Sequence, residues 1–187
     1  MKIIIVNGYP ESGKTQFGKF CKEIYKARCE ERSSIDKVKE IAKTCGWNGE
    51  KDPDSRRFLS DLKDLLTSYN DLPLNDIKKH IQMFENELRR FGLDVNNSIF
   101  LTDIREPEEI EKAKNKLNAV TVFINRNSAA EHIQSNHADS RVEDYIYDYY
   151  IENNGTLEEF RTATETFLKE IFFEYLFRHT KLYIQSK

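Results

Sequence analysis

Eight consecutive residues, Gly8-Tyr-Pro-Glu-Ser-Gly-Lys-Thr15, have the spacing G-x-x-x-x-G-K-[ST] of a loop that holds phosphate. Gly8 and Gly13 let the backbone fold around an anion, so that N–H groups, those of Glu11 and Ser12 among them, turn inward. A helix that starts at the same place adds partial positive charge. Lys14 then brings a full charge to the β- and γ-phosphates, and the Thr15 hydroxyl can ligate Mg²⁺. A pattern this short arises by chance, so its surroundings decide. It follows Lys2-Ile-Ile-Ile-Val6, a β-branched run of the kind found in a parallel strand covered on both faces. It precedes Gln16–Glu30, where Phe17, Phe20, Cys21, Ile24 and Tyr25 recur at helical intervals. Strand, loop and helix in that order predict a nucleoside triphosphate site that also takes Mg²⁺.

Other charged residues stand where such a site needs them. Asp103 closes the apolar run Ser98–Thr102, at the carboxyl end of a strand beside the loop strand, where a carboxylate can hold Mg²⁺ directly or through water. Arg105 follows two residues later; it either points the same way or pairs with Glu108 or Glu109. Arg126 ends the next apolar strand, Ala119–Ile124, and a guanidinium there suits the charge that spreads over a transferring phosphoryl group. Asn127 to Glu143 is polar, has few large apolar residues, and reads as a lid that excludes water from the nucleotide. Arg141 is its phosphate-binding candidate, while His137 reads as a solvated surface residue. Arg56 and Arg57 are candidates for gripping the phosphate of an acceptor.

The elements that must position these residues alternate, with one interruption. Helices are expected from Ile35 to Ala42, through Phe58, Leu62, Leu65, Leu66 and Tyr69, and through Ile77, Ile81, Phe84 and Leu88. Ser33 or Ser34 caps the first. Asn70-Asp-Leu-Pro73 breaks the second, Asn75 or Asp76 caps the third, and Gly92 stops it. Three helices in succession read as an insertion, residues 35–92. It falls between the first and second strands, or between the second and third if residues 31–34 form a short strand. Strand-and-helix alternation then resumes, with Pro107 and Glu108 opening a helix. Tyr147–Glu152 is a last strand, and Thr156 with Glu159 forms a capping box for a terminal helix through Leu157, Phe160, Phe167, Leu168, Ile171 and Leu176. The alternation predicts an α/β fold with parallel strands. Residues 1–34 and 93–187 form the core of one domain, with the insertion at 35–92 and the lid at 127–143.

The whole chain excludes several classes. With 187 residues, a net charge of −3 and 33% charged residues, it has no general nucleic-acid-binding character. No apolar run approaches the roughly 20 residues that cross a bilayer, and the first strand starts too early for a signal peptide. Cys21, Cys29 and Cys45 are odd in number and lack metal-ligand spacing, so reduced thiols in the cytoplasm are expected. Cys21 and Cys29 are read as packing residues of the first helix. Nothing in the sequence fixes an oligomeric state.

The chain resembles the P-loop kinases of nucleoside monophosphates, nearest to deoxynucleoside monophosphate kinases of the phage type and phosphomevalonate kinases of the animal type. The resemblance rests on residues 6–15, Arg56-Arg57, Leu101-Thr-Asp-Ile-Arg-Glu-Pro-Glu-Glu109, Phe123-Ile-Asn-Arg126 and residues 150–159. It implies an α/β three-layer P-loop NTPase fold with a parallel sheet of about five strands, phosphate and metal roles for Lys14 and Thr15, the metal for Asp103, and phosphates for Arg105 and Arg126. It also places Asn153 and Asn154 beside the adenine. In the resembling enzymes Asp commonly follows the loop lysine where this chain has Thr15, and lids often carry more arginine. The activity implied is transfer of a phosphoryl group from ATP–Mg²⁺ to a small phosphorylated acceptor, a nucleoside or deoxynucleoside monophosphate. A kinase of another phosphorylated metabolite and a nucleotide-binding switch are the alternatives. A GTPase is disfavoured because Asn115-Lys116-Leu117-Asn118 lacks the Asp of the guanine motif. A motor-type ATPase is disfavoured because Ile104, not Glu, follows Asp103.

Overall fold

Ile3–Val6 is β-branched throughout and forms the middle of β1 (Lys2–Asn7). Successive side chains of a strand point to opposite faces, so Ile4 and Val6 enter one apolar cluster and Ile5 the other. The computed structural model, which describes residues 1–50, 52–127 and 141–184, places β1 at the centre of a five-stranded sheet of order β2-β3-β1-β4-β5. The other strands are β2 (Cys29–Glu31), β3 (Ile99–Asp103), β4 (Val120–Asn125) and β5 (Tyr149–Glu152), and every pairing is parallel. Parallel neighbours need crossovers, and helices supply them. On one face, α1 (Lys14–Tyr25) packs Phe17, Phe20 and Cys21, and α6 (Leu157–Ile184) packs Phe160, Phe167, Leu168 and Ile171. On the other, α4 (Leu72–Arg90) packs Leu74, Ile77, Phe84 and Leu88, and α5 (Pro107–Leu117) packs Ile110 and Ala113. This is the three-layer α/β fold expected for a P-loop NTPase.

The first helix is shorter than expected. Lys26 takes a left-handed φ of 53° and ends it after Tyr25, and a single 3-10 turn leads into β2. Cys29 is therefore a strand residue paired with Ile99, not a helix residue, although it packs in the core as Cys21 does. Burial raises both thiols, Cys29 to about 12. Neither is a thiolate at neutral pH. The three inserted helices, α2 (Asp36–Thr44), α3 (Pro53–Asn70) and α4, therefore lie between β2 and β3.

Two boundaries inside the insertion also differ. α4 starts at Leu72 rather than at Asn75 or Asp76, because Pro73 sits in its first turn, where the missing N–H costs nothing. One left-handed residue, Asp71 (φ 59°), joins α3 to α4. Asp76 is then free to be buried, and it accepts from Arg32 Nε at 2.8 Å. The expected apolar stripe of α3 is only partly covered: Leu62 and Leu66 are half-buried, while Phe58 is 38% exposed, Leu65 64% and Tyr69 82%. The one buried residue of α3 is Lys63. α6 opens on the expected box, with Thr156 N donating to Glu159 Oε2 and Glu159 N to Thr156 Oγ1, though Leu157 is exposed and the side chain of Leu176 lies outside the described residues. Of the expected lid, residues 128–140, with His137, lie outside the described residues.

Candidate phosphate-binding site

The loop crosses the carboxyl ends of the three central strands. Parallel register sets Val6 against Asp103 on one side and Asn7 against Phe123 on the other. Asn7 is fully buried and ties the strand ends together. Its Oδ1 accepts from Gly8 N at 2.8 Å, and its Nδ2 donates to Arg105 O at 3.2 Å and to Tyr147 Oη at 2.8 Å. Tyr147 Oη in turn donates to Val142 O at 2.8 Å. A single side chain thus fixes the start of the loop, the turn after β3 and the approach to β5.

Both glycines of the pattern are required by close approach and by backbone conformation. Gly8 has φ 147°, and a Cβ there would lie 2.5 Å from Ile124 O and 2.6 Å from Ser12 Oγ. Gly13, at φ 110°, opens α1 and would collide with Asn153 Nδ2 if it bore a side chain. Asn153 braces the loop from outside: its Nδ2 donates to Ser12 O at 2.8 Å and its N–H to Asn125 O at 2.7 Å. Glu11 holds a left-handed φ of 64°, and its carbonyl accepts from Arg126 Nη1 at 3.5 Å. Lys14 Nζ reaches back across the loop to Gly8 O (2.6 Å) and Tyr9 O (2.7 Å). Ser12 is fully buried, and its Oγ has no hydrogen-bond partner among the described residues.

The chemistry of this cradle favours an anion. The first helical bond of α1 runs from Phe17 N to Gly13 O, so the amides of the preceding turn have no acceptor within the helix. The N-cap is a glycine without a side-chain cap, and the first turn carries no acid. Thr15 is exposed in that turn, and Asp103 is half-buried one strand over. A hydroxyl and a carboxylate suit Mg²⁺, which keeps several waters and takes few protein ligands. Among the described residues, no three His, Cys, Asp or Glu side chains gather as a transition metal would need. The residues present fit Mg²⁺ bound together with phosphate.

The other candidates are placed less centrally. Arg105 is half-buried on the turn after β3. Arg141 bonds Glu108 at 2.7 Å and Asp144 at 3.2 Å, so it lies against the start of α5. Arg57 is 75% exposed on α3, where it bonds Asp54 at 3.4 Å, and Arg56 is also exposed. Asn154 accepts from Asn127 N at 2.8 Å and donates to Glu152 at 2.6 Å. A groove of about 520 Å³ between β5 and α6, lined by Tyr149, Glu152 and Phe167 among others, contains no residue of the loop. Asn7 and Tyr147 were not apparent as site residues in the sequence. The one available signal was a polar side chain closing an apolar strand directly before the loop.

No protein-family model matches the chain, and no curated protein does. Among solved structures, a shikimate kinase from Bacteroides thetaiotaomicron aligns at 14% identity and TM-score 0.48, over 91% of this chain and 98% of that one. A dephospho-CoA kinase from Campylobacter jejuni aligns at 13% and 0.46, over 94% and 100%. Likenesses this weak add nothing to the sheet order and the loop geometry, on which the fold rests. No helix among the described residues is long and apolar enough to cross a membrane.

Proposed function

We propose that this chain is an ATP- and Mg²⁺-dependent phosphotransferase whose acceptor is a small phosphorylated molecule, most simply a nucleoside or deoxynucleoside monophosphate. One observation carries the reading: an uncapped helix start behind a glycine-lined loop, with Asp103 in register on the neighbouring strand and Arg126 over the loop backbone. On nucleotide binding, Lys14 exchanges two neutral carbonyl acceptors for phosphate oxygens, and charge-assisted bonds are the stronger kind. Thr15 and Asp103 would hold Mg²⁺, which neutralises charge on the β- and γ-oxygens. Arg126, and Arg105 with it, would stabilise the equatorial oxygens of the group in transfer. Acceptor phosphates are ionised near neutral pH, so the attacking oxygen needs no strong base. That agrees with a loop and strand ends that bring no His and Asp pair together among the described residues.

In this reading residues 35–92 form the acceptor-binding part, with Arg56 and Arg57 toward the acceptor phosphate, and Asn153 and Asn154 flank the adenine. The rival reading, a nucleotide-binding switch, draws on the outlying positions of Arg57 and Arg141, each paired to carboxylates. A panel of nucleoside monophosphates and phosphorylated alcohols, incubated with ATP–Mg²⁺, separates the two. Acceptor-dependent ADP formation supports the phosphotransferase; ADP formation at one rate whatever the acceptor supports the switch.

A further inference from the structure

α3 is held to the core in an unusual way for a helix of 18 residues. α2 and α4 each bury apolar side chains, whereas Leu59, Leu62 and Leu66 of α3 are only half-buried and its one buried residue is Lys63. Lys63 is 7% exposed, and its ammonium donates to Glu106 and, at 2.6 Å, to Glu109 Oε2. Both carboxylates stand at the start of α5, and Glu106 directly follows Arg105 on the turn after Asp103. Burial alone would lower the affinity of Lys63 for its proton, but Glu109 and Glu106 outweigh it and the pKa ends above the ordinary value. A second ionic contact joins the same parts. Asp71, between α3 and α4, bonds Lys112 at 2.8 Å and Lys116 at 3.2 Å on α5. Beside these contacts is a cavity of about 20 Å³ whose lining joins Thr67, Asp71, Glu109 and Lys112 to the apolar Leu74, Ile77 and Ile104. Thr67 Oγ1 is buried with no hydrogen-bond partner among the described residues.

A buried ion pair loses in desolvation much of what it gains in attraction, so an apolar contact would anchor α3 at least as firmly. What the charges add is direction. An ammonium set between two carboxylates fixes the rotation of α3 about its own axis. Residues seven apart share a helix face, so Arg56 lies on the Lys63 face, while Arg57, six residues from Lys63, is turned about 120° away from it. We propose that Lys63 is a positioning residue: clasped by Glu106 and Glu109, it sets α3 against the turn after β3 and presents Arg56, ahead of Arg57, to the acceptor. The claim about Arg56 rests on the phosphotransferase reading; the clasp itself does not.

Two measurements on the full chain test this. In Lys63→Met, amide exchange across Pro53–Asn70 and residues 104–109 should speed by about tenfold or more, while β1 and β4 amides keep their rates. Should Lys63→Met fail to fold, Glu109→Gln, which leaves one arm of the clasp, should speed the same amides by a smaller factor. The second measurement is a double-mutant cycle on the acceptor KM. Arg56→Ala should raise it about tenfold in the parent, more than Arg57→Ala does, and less than about twofold once Lys63 is Met. Exchange that speeds equally in every element would make Lys63 an ordinary stabilising residue and overturn the proposal. An Arg56→Ala effect of the same size in both backgrounds would overturn it too. A parent protein that turns over no acceptor contradicts the phosphotransferase reading alone, and the exchange measurement then decides the clasp.

Discussion

Lys14 and Asn7 do different work within one hydrogen-bonded loop, and mutation should separate them. Lys14→Ala removes charge from the transferring group but takes nothing from the core, so turnover of ATP should fall by about 10²-fold or more. The melting temperature should barely move. Asn7→Ala has the opposite profile. It strands Gly8 N–H in a buried place, which costs roughly 1–3 kcal/mol, and it takes one donor each from Arg105 O and from Tyr147 Oη, which keeps its bond to Val142 O. Urea unfolding should show a loss of about 1–3 kcal/mol, and an unchanged midpoint would contradict the assigned bonds. Asp103→Asn keeps the shape of its side chain and removes its charge. Calorimetric titration with ATP should then need higher Mg²⁺ for the same affinity, at near-constant melting temperature. A large stability loss with unaltered Mg²⁺ dependence would make Asp103 a structural carboxylate.

At the scale of elements, the contact of α3 with α5 predicts an unusual pH response. Burial, then hydrogen bonding with Glu106, raises the Glu109 carboxyl from its ordinary value near 4.5 to about 7, although Lys63 acts against the shift. Besides Lys63 and Glu106, the charged groups around it are Asp71 and Lys112 across the small cavity. Between the two pKa values the folded chain holds a proton that the unfolded chain has released. Stability at this site is therefore greatest at low pH and falls as pH rises through about 7. Most buried carboxylates that are ion-paired behave in the opposite sense. Glu109→Gln removes the titration, so the stability of the parent relative to this variant should fall by about 1–3 kcal/mol between pH 5 and pH 8. Chemical denaturation at four or five pH values measures this, and a difference that stays flat or rises would contradict it.

Across the whole molecule, what the sequence revealed was local and periodic. β1, the loop, β3 ending in Asp103, β4 leading to Arg126, and the Thr156–Glu159 box all announce themselves within a dozen residues. β2 did not, because three residues are too few to show a period and neither Gly nor Pro marks the end of α1. Periodicity also placed an apolar stripe on α3 correctly, but it cannot tell whether another element covers that stripe, and none of the described residues does so fully. Lys63 meets carboxylates 43 and 46 residues away, and Asn7 meets a hydroxyl 140 residues away. Contacts of that range come from the topology, and no spacing rule encodes them. The proposed transfer of a phosphoryl group from ATP to a phosphorylated acceptor needs both a legible loop and an illegible scaffold that sets it. Its most direct test is ³¹P NMR of the protein with ATP–Mg²⁺ and each monophosphate in turn. The account predicts that ADP appears together with a new phosphoanhydride signal on one acceptor, and that Lys14→Ala abolishes both. ADP accompanied only by inorganic phosphate, with every acceptor unchanged, would contradict it.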